Sequence, residues 1–157
     1  MTTAEVNKET SRDVLDRYLV EHSMRRTPER YAILDVVVAR RGVFSFDQIE
    51  RELATTITGG ISRSTIYDTI NILIDASIIQ KVNLPIKGTL YELSSNERHC
   101  HLICTACGKV KTVVDKHTDA FMNTKRYPAF NAYSYHITVM GLCSTCSRKA
   151  RKTKTND

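Results

Sequence analysis

"SRSTIYDTINILIDA", Ser62 to Ala76, decides how the first half of this chain folds. Ile66, Ile70, Leu73 and Ile74 fall on one side of a helix with 3.6 residues per turn. Arg63, Tyr67 and Asn71, at i, i+4 and i+8, make a single row on the other side. A guanidinium, a phenol and a carboxamide in an exposed row are groups that reach phosphates and base edges. Ser64 and Thr65, in the first turn of the same helix, join them as candidate DNA contacts. A merely wet polar face would carry the same row, so its meaning rests on its neighbours.

Upstream, "RDVLDRYLVEHSM" pairs Val14 with Tyr18 and Leu15 with Leu19, a helix with one buried stripe. In "RRTPERYAILDVVVAR" a second helix starts: Thr27 is its N-cap, Pro28 suits the first turn, and Gly42 ends it. Ile33/Val37 and Leu34/Val38 pair at i, i+4 along it. "SFDQIERELAT" predicts a third helix, capped by Ser45, with Phe46, Ile49 and Leu53 inward. Downstream, "IIQKVNLPIKGTLYEL" reads as a hairpin about a Pro-Ile-Lys-Gly turn, ending near Leu93. Three helices, an exposed polar helix and a hairpin make a winged helix-turn-helix. It spans residues 1–94, with 1–11 as a flexible leader.

The second half changes character after "SSNE", Ser94 to Glu97. "HLIC" and "KVKTVVD" read as strands around a cysteine turn, and "KHTDAFMNTKR" as a helix. "NAYSYHITVM" alternates Tyr133, Tyr135, Ile137 and Val139 against Ser134, His136 and Thr138, the pattern of a half-buried strand. The expected fold class is therefore α+β. A winged helix-turn-helix is followed by a small α/β domain over residues 95–147 and a basic flexible tail over 148–157.

Cys104/Cys107 and Cys143/Cys146 are two C-x-x-C pairs separated by a strand, a helix and a strand, the arrangement of a closed tetrahedral zinc site. A closed site leaves no water to activate, so its zinc is structural, one ion per chain. A redox pair is the rival reading, but that motif does not require two pairs. His99 and His101 are two apart, so on a strand they share a face and Cys100 takes the other. With Glu92 at the hairpin's end they form a borderline donor set suited to Zn(II), Fe(II), Mn(II) or Ni(II).

The chain has 157 residues, 41% hydrophobic and 25% charged, enough for one ordinary domain or two small ones. Its longest apolar run, "AILDVVVA", is too short to span a bilayer, and the polar start "MTTAEVNKETSRD" lacks a signal-peptide core. A cytoplasmic protein without a membrane partner is expected, and there clustered cysteines are metal ligands rather than disulfides. The net charge of +6 points to a polyanion, but it is uneven. Residues 1–95 hold 12 basic and 13 acidic side chains, residues 96–157 hold 11 and 4. DNA binding must therefore rest on local placement.

The stretches "RRTPERYAIL", "ISRSTIYDTINIL", "YEL", "HCHLICTACGKV" and "YHITVMGLCSTC", in order over most of residues 12–147, resemble the ferric uptake regulator (Fur) family of bacterial metal-dependent transcription regulators. The resemblance implies a homodimer that binds double-stranded operator DNA, as a repressor, with metal at an interdomain site setting the two winged helices. It implies structural zinc on Cys104, Cys107, Cys143 and Cys146, and a regulatory metal (Fe2+, Zn2+ or Mn2+) on Glu92, His99 and His101. Tyr67 matches the DNA-contacting tyrosine of the recognition helix, and Arg25 a basic residue near the minor groove. Arg26 and Arg30 are further candidate DNA contacts.

The departures from the family pattern are specific. Val43 stands where many members have a histidine ligand, Thr112 where a carboxylate ligand is common, and Asp68 where an arginine is usual. Arg98, Cys100 and Tyr135 replace residues that often serve a third metal site, of which Asp119 remains. His22, Cys100, Asp115, His117 and Asp119 are the additional candidate ligands. Cys100 also leaves open a regulator answering to haem or oxidation rather than to a metal ion. An enzyme is not expected: the four-cysteine set is closed and the H-x-E…P-C-x-x-C deaminase signature is missing.

Overall fold

Leu15 and Leu19 from one helix, Ile33, Leu34 and Val37 from a second, and Ile49 and Leu53 from a third close on Ile66, Ile70 and Leu73. These are the aliphatic stripes expected from the periodicity, and all of them are buried. The computed structural model describes residues 3–82, 84, 88–94, 99–131 and 137–153. It divides into two compact units, Met1–Ser94 and Ser95–Asp157.

The first unit contains α1 (Thr3–Glu21), α2 (Pro28–Val38), β1 (Phe44–Ser45), α3 (Phe46–Thr56), α4 (Arg63–Asp75), β2 (Ile79–Val82) and β3 (Leu90–Leu93). Pro28 opens α2 with its φ already set for a helix, and Thr27 precedes it in extended conformation without a side-chain cap bond. Ser45 caps α3 through a reciprocal pair: Gln48 N donates to Ser45 Oγ at 3.3 Å and Ser45 N to Gln48 Oε1 at 2.8 Å. The hairpin strands β2 and β3 pair antiparallel from Ile79↔Leu93 to Val82↔Leu90. The tip residues Pro85, Ile86 and Lys87 lie outside the described residues.

Two features of this unit differ from expectation. Phe44–Ser45 adds a third strand, giving the sheet order β1-β3-β2, because the buried Phe44 pairs with Tyr91. Two residues are too few for alternation to reveal a strand. The expected leader over residues 1–11 is helical from Thr3. That stretch holds no proline or glycine to stop a helix. Arg12 then fastens the helix to α2 with a two-pronged bond to Asp35, at 2.7 and 3.3 Å.

The second unit contains β4 (Cys100–Cys104), β5 (Val110–Val113), α5 (Lys116–Thr124), β6 (Ile137–Gly141) and α6 (Ser144–Thr153). Its sheet runs β5-β4-β6, with β4 antiparallel to β5 and parallel to β6. Expected inward residues Tyr133 and Tyr135, with Ser134 and His136, lie outside the described residues, as does the boundary stretch 95–97. Val139, expected inward, is exposed, as are Met140 and Leu142 beside it. The basic tail expected from residue 148 is helical as far as Thr153, because α6 begins at the second cysteine pair and carries through. Among the described residues no helix is long and apolar enough to cross a membrane.

The core makes a direct prediction. Leu34→Ala should cost about 3 kcal/mol, the transfer and cavity penalty of a fully buried leucine. Urea unfolding of the zinc-loaded protein measures it. A cost below about 1 kcal/mol would mean that the aliphatic stripes do not hold the first unit together.

Candidate functional site

Register builds the cysteine cluster. Parallel pairing sets Cys104, the last residue of β4, beside Gly141, the last of β6, two residues before Cys143. Thr105 N locks the junction by donating to Gly141 O at 2.8 Å. Past Cys104 the chain turns on Gly108, whose φ of +71° favours glycine, and Gly108 N donates back to Cys104 O at 2.8 Å. That turn brings Cys107 round. Cys143 lies immediately before α6 and Cys146 in its first turn.

The four sulfurs lie within 4.8 Å of one another. Ligands about 2.3 Å from a tetrahedral zinc stand about 3.8 Å apart, and Cys107 Sγ and Cys143 Sγ are separated by 3.9 Å. The donor set and spacing therefore fit a closed zinc site. The protonation pattern also calls for a cation. The Cys143 amide, with those of Cys107 and Ala106, brings the Cys104 thiol down to about 6. The Cys146 amide and thiol lower Cys143. Cys146 itself, facing the sulfurs of Cys143, Cys107 and Cys104, is pushed up to about 12. Four thiols this close cannot all ionise without positive charge among them. Within either unit, this is the one group of three or more ligand-type side chains drawn together among the described residues.

His99 and His101 stand edge to face with ring centroids 4.9 Å apart, as a shared strand face requires. His101 is 3% exposed and sits opposite Thr112 on β5. The buried Thr112 hydroxyl has no hydrogen-bond partner among the described residues. In the first unit Glu92 is 4% exposed on β3 and accepts a hydrogen bond from Gln80 Nε2 at 2.8 Å.

The remaining candidate ligands sit in varied surroundings. His22 stacks on Tyr18 and its Nδ1 lies 2.9 Å from the Tyr18 carbonyl oxygen. Asp115 caps α5, accepting from the His117 and Thr118 amides at 3.1 and 3.2 Å, and the Thr118 bonds hold its carboxyl below the usual range. His117 is exposed. Asp119 lies on α5, its side chain outside the description. Cys100 is buried, and burial followed by the charge of Asp115 raises its thiol. A redox sensor needs the opposite shift.

On α4 the polar row is where periodicity put it. Tyr67 is 56% exposed, Arg63 projects at the first turn and Asn71 is half-buried. Ser62 Oγ, 2.7 Å from Thr65 Oγ1 and 3.0 Å from Ser64 Oγ, ties those hydroxyls into the helix cap. Before α2, Arg25 is exposed and Arg26 lies 3.5 Å from Asp16, and Arg30, in the first turn of α2, donates to the Arg25 carbonyl. What sequence reasoning missed is that Arg63 is held from α3: its Nη1 donates to Glu50 Oε2 at 2.6 Å and its Nη2 lies 3.5 Å from Asp47 Oδ1. Asp47 and Glu50 are spaced i, i+3 on one face of α3, but only the packing of α3 beside α4 reveals their target.

Cys104→Ser should remove the bound zinc and, with it, the ordered β4–β6 junction. Elemental analysis and amide hydrogen exchange read both changes. Zinc binding of this kind is worth on the order of 10 kcal/mol to a small domain, so a zinc-free variant with unchanged protection at the Ile103 and Thr105 amides would remove the staple from the account.

The sequence profile of the ferric uptake regulator family matches residues 21–139. The ferric uptake regulation protein of Campylobacter upsaliensis is 23% identical over 86% of this chain and 88% of its own. The peroxide-responsive repressor PerR of Staphylococcus saprophyticus is 27% identical over 83% and 88%. Among solved structures, the Helicobacter pylori ferric uptake regulator Fur superposes with a TM-score of 0.77 at 22% identity, covering 89% of this chain and 93% of that one. With its α+β fold and four-cysteine cluster, the chain belongs to the ferric uptake regulator family, whose members are metal-responsive DNA-binding transcription regulators.

Proposed function

We propose that this protein is a homodimeric, sequence-specific transcription repressor of the cytoplasm. In this reading it binds double-stranded operator DNA through its winged helix and carries one structural zinc on Cys104, Cys107, Cys143 and Cys146. A second divalent metal on Glu92, His99 and His101 governs DNA binding. The observation that carries the reading is the exposed row on α4, with Tyr67 open to solvent at the centre of a helix packed by Ile66, Ile70 and Leu73. In a winged helix such a row enters the major groove.

The metal reading is supported by the paired imidazoles of His99 and His101 and by the orphaned Thr112 hydroxyl across the strand from His101. A metal-bound water is one partner such a hydroxyl would accept. Iron, zinc and manganese are all compatible with two imidazoles and a carboxylate. The dimer is supported by the second unit's uncovered apolar surface: Phe121, Phe130, Val139, Met140 and Leu142 are exposed, three of them along or just after the edge strand β6. A monomer seldom leaves so much apolar surface in water.

Metal that favours the DNA-competent arrangement must itself bind more tightly when operator is present, by the same factor. Tyr67→Ala should weaken binding of a selected duplex by about 1–3 kcal/mol while zinc content stays at one per chain. Replacing Glu92, His99 and His101 together should abolish the metal-dependent part of the affinity. Undiminished duplex binding by Tyr67→Ala would place the recognition surface elsewhere, and unchanged metal dependence in the triple variant would remove the regulatory site.

A further inference from the structure

A helix that reads DNA is expected to attract it, yet α4 carries one cation, Arg63, against two carboxylates, Asp68 and Asp75. That one cation is already engaged. Glu50 Oε2 accepts from Nη1 at 2.6 Å, Asp47 Oδ1 lies 3.5 Å from Nη2, and the guanidinium sits over the Phe46 ring at 4.8 Å from its centroid. Phe46 in turn lies 6.1 Å from the Tyr67 ring, so the clamp touches the row that faces DNA. The group is surface-exposed, with two-thirds of the Arg63 side chain in water. It also borders a cleft of about 580 Å³ between α4 and β3, lined by Phe46, Tyr67, Thr89 and Tyr91 among others. Arg63 therefore has room to leave its carboxylates without repacking the core.

We infer that Asp47 and Glu50 are specificity-determining residues, holding Arg63 in a clamp that base edges can open and phosphates alone cannot. The inference rests on the DNA-binding reading above. Two carboxylates against one guanidinium leave a net negative cluster on the DNA-facing side, so a phosphate approaching it meets repulsion as well as a competitor for the same N–H groups. Guanine offers more than phosphate here: its O6 and N7 take two in-plane N–H bonds from one arginine. A duplex presenting guanine at that position repays the lost carboxylate bonds. A duplex presenting only backbone does not. The clamp thus suppresses non-specific binding more than operator binding, and widens the ratio between them.

The test uses the full chain, zinc-loaded and saturated with divalent metal, with a duplex selected from a random pool and a scrambled duplex of the same composition. Glu50→Gln should raise affinity for the scrambled duplex at least about threefold, raise it less for the selected one, and so narrow the preference. The salt slope on scrambled DNA should steepen by about 0.9 per protomer as Arg63 takes up a phosphate. Asp47→Asn should act in the same direction, more weakly, given its longer reach. In an Arg63→Ala background, Glu50→Gln should no longer narrow the preference. An unchanged or wider preference overturns the inference, and so does an equal gain without Arg63, which would reduce the effect to plain repulsion. If the unaltered protein prefers no duplex in the pool, the DNA-binding reading itself fails and the inference falls with it.

Discussion

Four cysteine sulfurs within 4.8 Å of one another are the constraint on which the second unit depends. Their placement needs the parallel β4–β6 register, the Gly108 turn and the start of α6 all at once. Among the described residues, little else in that unit is buried: Cys100, Ile103, Cys104 and His101. A core this small does not outweigh the chain entropy of ordering the strands. A tetrahedral cation on the four sulfurs would, and β4, which ends at Cys104, starts next to His99 and contains His101. Zinc on the four sulfurs would therefore also fix the strand on and next to which the proposed regulatory imidazoles stand.

The first unit solves a different problem. Its helices close on a continuous aliphatic core. Its charge is nearly balanced, so operator affinity cannot come from a broad positive field. What the proposed reading has it offer DNA is a small number of placed groups: Tyr67, Arg63 and the arginines before and at the start of α2. Several are already bonded within the protein, Arg63 to Glu50, Arg26 to Asp16 and Arg30 to the Arg25 carbonyl. On that reading each would exchange an internal partner for DNA, which favours discrimination over raw affinity.

Periodicity made the helical core legible because Leu15, Leu19, Ile33, Leu34, Ile49, Leu53, Ile66 and Ile70 recur at helical spacing and are buried. The cysteine cluster was legible because two C-x-x-C pairs have few other uses. Tertiary pairings were not. Phe44–Ser45 becomes a strand through its partner on β3, and Arg63 is clamped from a separate helix. No local pattern encodes either. Residues 1–11, the first part of the N-terminal helix, read as a leader because they are mostly polar and lack a helical apolar stripe. The Arg12–Asp35 bond that fastens it joins positions 23 residues apart. Asp115, a residue of the right type for a ligand, also caps α5, a use that its residue type alone does not distinguish from metal binding.

The central claim is that one metal holds the fold while another carries the signal. Metal per chain, measured by elemental analysis before and after mild chelation, with selected-duplex binding assayed on the same samples, tests it most directly. The account predicts about one chelation-resistant zinc per chain, and a second, removable metal whose loss and return track the loss and return of DNA binding. A protein that holds only the resistant zinc and binds DNA equally well before and after chelation would contradict it.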